Sequence, residues 1–144
     1  MMLKYIFLSI CFGSVEHNAY NSYTKDYDFA LLRLRNSFSY NSYVISISTG
    51  SANTGEWVTA AGWGRTSEGG PTSNHLQKIS IPILSDADCK KAYPNEIYKS
   101  MICAGYMTTT GKDSCDGDSG GPLTRGTGSG AVLVGVVSWG HGQY

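Results

Sequence analysis

The chain has 144 residues, and its 11 basic and 11 acidic side chains give a formal net charge of zero. A neutral chain has no broad positive field to attract nucleic acid or an anionic membrane, so neither is expected as a partner. Its 18 glycines and 10 tyrosines suit short strands and tight turns rather than helical bundles. The four cysteines fit an oxidising compartment, although free thiols are compatible with the count.

The first 13 residues resemble a targeting segment. Lys4 precedes a short apolar run that extends from Tyr5 to Gly13. A basic start before such a run is typical of a secretory signal, and the run is too short to span a bilayer. No Ala-x-Ala cleavage pattern follows it, and a core strand is the alternative. We therefore expect residues 1–13 to be a signal peptide or leader, or a misassigned exon.

The remaining chain has the spacing of short strands separated by glycine-rich turns, which favours an all-β fold of the barrel type. After a polar surface connection over 14–27, apolar runs predict strands at 30–34, 44–48, 56–63, 79–83, 101–104 and 131–139. The consecutive apolar residues at 30–32 suggest burial on both faces, and Pro82 suggests a sheet edge. Ser85 and Asp88 resemble a capping box and predict one short helix through about Tyr93.

The stretch from Gly111 to Leu123 carries the most specific chemical signal. It places Ser119 among glycines, and glycine lets the backbone bend sharply and approach a ligand closely. Two backbone N–H groups beside a hydroxyl supply a nucleophile and donors for a developing oxyanion, which acyl transfer requires. A solvated Gly/Asp/Ser loop is the structural alternative. It is disfavoured because a surface loop does not need so many fixed residue types.

A rival nucleophile motif occupies the same residues. Gly117 to Gly121 also satisfy Gly-x-Ser-x-Gly, the elbow of α/β-hydrolases. That elbow leads into a helix, and its acid and histidine follow the serine. Here Pro122 follows the glycines, and no Asp or Glu occurs after Ser119. The elbow interpretation therefore fails.

A series of motifs resembles the trypsin-like serine proteases, which have the chymotrypsin fold. The motifs are Asp-Phe-Ala-Leu-Leu-Arg-Leu at 28–34, Ala-Gly-Trp-Gly at 61–64, Pro-Ile-Leu-Ser at 82–85, Met-Ile-Cys-Ala-Gly at 101–105, Lys-Asp-Ser-Cys at 112–115, Gly-Asp-Ser-Gly-Gly-Pro at 117–122 and Val-Val-Ser-Trp-Gly at 136–140. The resemblance implies a partial double β-barrel. Residues 14–52 would be a remnant of the first barrel. Residues 53–144 would be the second barrel, ending before its last strand and C-terminal helix.

The resemblance implies catalytic roles for two side chains. Ser119 matches the nucleophile, and the backbone N–H groups of Gly117 and Ser119 match the oxyanion hole. Asp28 matches the aspartate that orients and charge-balances a histidine base. The sequence thus supplies an acyl-transfer nucleophile and the residue that supports its base.

The histidine base itself is missing from the pattern. In the family it precedes the aspartate by roughly 45 residues, whereas only 27 residues precede Asp28. The family's Ala-Ala-His-Cys setting also occurs nowhere in the chain. None of His17, His75 and His141 matches the base, and each is expected to be an exposed histidine without a catalytic role.

Substrate recognition is also implied by resemblance. Asp113 matches the floor of the primary specificity pocket, where a carboxylate selects a substrate Arg or Lys. Ser138, Trp139 and Gly140 resemble the strand that pairs with the substrate backbone and forms one pocket wall. Asp118 matches the aspartate that pairs with the α-amino group created by activation. Since no such N-terminus is present, Asp118 is expected to be exposed, or buried without a cation.

The cysteines and histidines argue for a disulfide but against a metal. Cys89 and Cys103 match a family disulfide, whereas Cys115 lacks its family partner. The histidines are scattered, and the chain has no Cys/His cluster of the kind that binds zinc. We therefore expect neither a metal nor a cofactor.

These observations predict a secreted, extracellular, monomeric serine endopeptidase that cleaves protein or peptide substrates after Arg or Lys. Protease inhibitors would be its other partners. The chain as written lacks the catalytic histidine and is expected to be inactive alone. The alternative is a non-catalytic secreted homologue of serine proteases that acts as a binding protein.

Overall fold

The computed structural model describes residues 11–37, 39–67, 69–107 and 117–140. The chain divides into two compact units, one ending at Ser46 and the other starting at Ile47. Both are built from strands, and the described residues include one short α-helix and one 3₁₀ turn. The all-β expectation is confirmed, although the described strands form open sheets rather than a closed barrel.

The first unit contains a two-stranded antiparallel sheet. Strand β1 spans Cys11–Glu16 and strand β2 spans Ala30–Leu34, with Glu16 opposite Ala30. The strand predicted at 30–34 is therefore confirmed, but its burial on both faces is wrong, because Leu31 is 73% and Leu32 49% exposed. The reason is that β2 pairs only with β1 in this described sheet, and two strands cannot cover their own faces.

The start of the chain is more regular than the sequence suggested. Residues 14–16 belong to β1, so the predicted surface connection begins only after Glu16. Residues 11–13 also lie in β1, where Cys11 pairs with Leu34 and Gly13 with Arg33 across a register shift. Residues 1–10 lie outside the described part of the chain, so a signal at 1–13 stays a prediction.

The second unit is organised around a five-stranded sheet. Its strands are β3 at Ser48–Thr49, β4 at Trp57–Gly62, β5 at Gln77–Pro82, β6 at Pro122–Arg125 and β7 at Val132–Val136. Their order across the sheet is β3-β7-β6-β4-β5. The β3–β7 pair is parallel and the other pairs are antiparallel. Strand β5 lies at the edge, as Pro82 predicted.

Alternating apolar side chains build the core of this unit. The residues buried together are Val58 and Ala60 on β4, Ile81 on β5, Ile83 directly after β5, and Leu123 on β6. Every second residue of a strand faces the same side, so the Ile79-Ile81-Ile83 alternation directs these side chains to one face. The strands predicted at 56–63, 79–83 and 131–139 are confirmed, with shifted ends.

Helix α1 spans Asp86–Ala92 and is fixed at both ends. Ser85 is its N-cap, and the Ser85 Oγ accepts the Asp88 N–H at 3.0 Å, as the capping pattern predicted. Cys89 is buried and forms a disulfide with Cys103, whose Cα lies 5.9 Å away. The predicted disulfide is confirmed. A crosslink that closes a loop of this length contributes on the order of 3 kcal/mol.

Two predicted strands are wrong, and β6 was missed in addition to β1. Of residues 44–48 only Ser48 lies in a strand, because the Val44 N–H bonds locally to Asn41. Of residues 101–104 only Ala104 forms a bridge, to Ile83, because the Met101 N–H bonds back to Tyr98 in a turn. Strand β6 was missed because it follows Gly120 and Gly121 directly and begins with Pro122.

Candidate active site

The loop that carries Ser119 is anchored to the end of β7. The Gly120 N–H donates to the Val137 carbonyl at 2.8 Å, and the Val137 N–H donates to the Gly121 carbonyl at 2.9 Å. Gly117 and Gly120 have φ angles of +99° and +83°, in the region that favours glycine. The glycines therefore form the tight turn that the sequence suggested, and the turn is held by backbone hydrogen bonds.

Ser119 is exposed at the tip of this turn. Its Oγ donates a hydrogen bond to the carbonyl of Ser138 at 3.3 Å. The backbone N–H groups of Gly117 and Ser119 have no hydrogen-bond partner among the described residues. An accessible hydroxyl and available backbone N–H donors in one turn are the groups that acyl-transfer chemistry uses.

Asp118 joins the Ser119 loop to the end of β4. The Gly64 N–H donates to Asp118 Oδ1 at 2.7 Å, a short distance that is typical of a charge-assisted hydrogen bond. A Cβ at Gly64 would lie 2.6–2.7 Å from the carboxylate atoms, and one at Gly62 would also meet the carboxylate. The half-buried Asp118 carboxylate thus binds a backbone N–H, a contact that the sequence analysis missed.

The predicted substrate strand, residues 138–140, follows β7 without regular secondary structure and lies outside the described strand pairs. Trp139 is half-buried, and its ring makes an edge contact with Tyr93, with centroids 5.3 Å apart and planes at 80°. Tyr93 is the C-cap of α1, which the Cys89–Cys103 bond also holds. Sequence reasoning missed Tyr93, because no local pattern links it to a residue so distant in the chain.

The remaining predicted site residues lie in the first unit, at the end of the described chain or outside the described residues. Asp28 belongs to the first unit, is exposed and directly precedes Phe29 and β2. Gly140 is exposed and is the last described residue. Asp113, Cys115 and His141 lie outside the described residues. The roles assigned to all of these residues stay predictions.

The two described histidines have different surroundings. His75 is exposed, as expected, in the loop before β5. His17 is half-buried, so its predicted exposure is wrong. The reason is that its ring stacks on Tyr27 at 4.4 Å and packs against Phe29 at 4.9 Å, measured between centroids. Neither aromatic neighbour was identifiable from local periodicity.

Within the described ranges, no group of three or more His, Cys, Asp or Glu side chains is arranged to hold a metal ion. No helix in the part of the chain that the structure describes is long and apolar enough to cross a membrane.

The strand-rich fold and the glycine-framed Ser119 are consistent with the trypsin-like serine proteases. The family model "Trypsin" matches residues 11–144, so the chain belongs to the trypsin family. It is 48% identical over 121 residues to trypsin-1 of Astacus astacus, covering 81% of this chain and 50% of that protein. It is 44% identical over 130 residues to the trypsin of Squalus acanthias, covering 89% and 55%. The chain spans about half the length of the curated relatives it matches.

Proposed function

We propose that the protein carrying this chain is a secreted serine endopeptidase in which Ser119 is the nucleophile. The observation that carries the proposal is an exposed Ser119 hydroxyl together with the N–H groups of Gly117 and Ser119, which have no hydrogen-bond partner in the described part of the chain. Membership of the trypsin family supports it. The protein would act as a monomer on protein or peptide substrates, and protein inhibitors of proteases would bind the same site.

The proposed reaction is acyl transfer. Ser119 Oγ attacks the peptide carbonyl carbon and forms an ester bond, while its proton passes through a histidine base to the leaving amine. The N–H groups of Gly117 and Ser119 stabilise the tetrahedral oxyanion. Water then hydrolyses the ester and regenerates the hydroxyl. Asp28 would orient the histidine and balance the positive charge that the histidine acquires.

Cleavage after Arg or Lys is the proposed specificity. Asp113 would lie at the floor of the pocket, since an unpaired carboxylate in a closed pocket favours a cationic side chain over a neutral one. The segment of Ser138, Trp139 and Gly140 would pair with the substrate backbone. The contact between Trp139 and Tyr93 supports this assignment, because the Tyr93 ring packs against one side of that segment.

The 144-residue polypeptide by itself is proposed to have negligible peptidase activity. None of its three histidines matches the base, and loss of the base costs about 10⁶ in turnover in a comparable triad. Incubating the refolded polypeptide with an arginine ester tests this point. We expect hydrolysis at the rate of the Ser119→Ala variant, and faster hydrolysis that Ser119→Ala abolishes would contradict the proposal.

A non-catalytic homologue that binds inhibitors or basic peptides is the second candidate. The unmatched histidines favour it, whereas the retention of Ser119, Asp28 and Gly117 favours the enzyme. The transcript sequence before Ser14 and after Tyr144 discriminates the two. An upstream Ala-Ala-His-Cys and a downstream cysteine in a glycine-rich segment would support the enzyme. A secreted protein with the mass of the 144-residue chain would support the homologue.

The function is tested with the secreted product of the complete transcript. We expect it to hydrolyse arginine and lysine esters, and we expect Ser119→Ala to abolish turnover. Ser129→Ala, at an exposed serine in the 3₁₀ turn, is the matched control and should retain activity. Asp113→Ser should reduce the preference for Arg and Lys over neutral side chains. Hydrolysis that survives Ser119→Ala would refute the assignment of the nucleophile.

A further inference from the structure

His17 packs against the residues on both sides of Asp28. Its ring is stacked on that of Tyr27, with centroids 4.4 Å apart and planes at 5°. The ring of Phe29 packs against the same imidazole at 4.9 Å, with planes at 53°. The two residues that flank the Asp28 carboxylate in the chain are thus both in contact with one side chain.

Hydrogen bonds fix the position of His17 itself. Its N–H donates to the Phe29 carbonyl at 3.3 Å, and its carbonyl accepts the Tyr20 N–H at 2.9 Å. The His17 Nδ1 accepts the Ala19 N–H at 3.2 Å, which defines the orientation of the ring. The imidazole is therefore held in one position, because both the backbone and the ring of His17 are hydrogen-bonded.

The backbone at Asp28 is a tight turn that needs such support. The Phe29 N–H donates to the Tyr27 carbonyl at 2.8 Å, which makes Asp28 the central residue of a three-residue turn. Tyr27 has a φ of +55°, which non-glycine residues adopt only at a cost. Such a conformation persists when its surroundings determine it, and the stacked His17 ring supplies a contact that does so.

We propose that His17 is a positioning residue for Asp28. By holding Tyr27 and Phe29, it fixes the backbone conformation at Asp28 and thereby the χ1 rotamer that the Asp28 side chain adopts, since the allowed rotamers depend on φ and ψ. The role in catalysis rests on the proposed function, in which Asp28 orients the histidine base. The positioning itself is a property of this turn and is measurable in the absence of any activity.

The first test is NMR on the isotopically labelled 144-residue chain. Three-bond couplings to the Asp28 Cγ report the population of its χ1 rotamers. We expect one dominant rotamer in the wild type, and averaging over three in His17→Ala. His17→Phe should retain the dominant rotamer, because it keeps a flat ring between Tyr27 and Phe29. His75→Ala, which removes an exposed histidine, is the matched control and should leave Asp28 unchanged.

A second variant keeps the test valid if His17→Ala does not fold. Tyr27→Gly removes the stacked ring but suits the positive φ at this position. We expect the χ1 angle of Asp28 to be averaged over its three rotamers in this variant as well. A single dominant Asp28 rotamer in both His17→Ala and Tyr27→Gly would overturn the proposal.

The second test uses the active secreted protein and separates the proposal from the proposed function. We expect His17→Ala to lower kcat on the order of 10- to 100-fold with little change in KM, since a misplaced group impairs the chemical step. His17→Phe should restore most of kcat. Unchanged kcat in His17→Ala would overturn the proposal. If the wild-type protein hydrolyses no ester, the proposed function fails, and the NMR result alone decides the role of His17.

Discussion

The Asp118 carboxylate connects the Ser119 loop to the end of β4 through the Gly64 N–H. The contact requires glycine at two nearby positions, since a Cβ at Gly62 or Gly64 would meet the carboxylate. A hydrogen bond from a backbone N–H to a carboxylate is stronger than one between neutral groups. The position of Ser119, the next residue, therefore depends on the Ala-Gly-Trp-Gly segment as well as on its own glycines.

Gly64→Ala tests this contact at the residue scale. The added methyl group would displace the Asp118 carboxylate, and the loss of a hydrogen bond to a charged group costs about 1.5–3 kcal/mol. We expect a lower urea midpoint with an unchanged m-value. Gly130→Ala is the control, because its Cβ would meet no atom within 4 Å and it should lose no stability. Equal midpoints for Gly64→Ala and the wild type would show that Asp118 is not held in this way.

The position of a single residue could be predicted from the sequence only where the residues that determine it lie close by in the chain. Ser119 could be identified because the surrounding glycines form a dense motif. The partner of Asp118 could not, because Gly64 is distant in sequence and contributes a backbone N–H, which no sequence pattern marks. The half-burial of His17 was missed for the same reason, since it depends on Tyr27 and Phe29 across a turn.

At the scale of elements, α1 combines a local cap with a distant crosslink. Ser85 caps its first turn, while the Cys89–Cys103 bond ties its centre to the segment before Ala104. Tyr93 at its C-terminal end contacts Trp139. The helix thus links the disulfide to the proposed substrate-binding segment, and its stability bears on that segment.

Ser85→Ala is expected to destabilise the chain by about 1 kcal/mol, because it removes the oxygen that accepts the Asp88 N–H. Chemical denaturation followed by fluorescence measures the change. Ser51→Ala, at an exposed loop position, is the control and should be within about 0.5 kcal/mol of the wild type. If the two variants are equally stable, the cap makes no measurable contribution.

Elements with a complete local signal were the ones that the sequence predicted. β4, β5, β7 and α1 each have an apolar alternation, a bounded apolar run or a cap in their own residues. The segment at 44–48 has an apolar run, but the side chain of Asn41 binds the Val44 N–H and favours a turn. β6 has no such signal and is defined by its neighbours β4 and β7.

At the scale of the whole molecule, the chain is an all-β member of the trypsin family that spans about half the length of its curated relatives. The apolar residues of β2 had suggested a buried strand, and their exposure shows that composition alone does not decide burial. Burial needs a second layer, and the two strands of this described sheet do not supply one.

The proposed function requires the Ser119 hydroxyl to be an activated nucleophile in the complete protein. Labelling that protein with a fluorophosphonate, which reacts with activated serines, followed by peptide mapping tests it most directly. We expect one labelled peptide, the one that contains Ser119, and no label in the Ser119→Ala variant. A hydrolytically active protein labelled at a different serine, or not labelled at all, would contradict the assignment of Ser119 as the nucleophile.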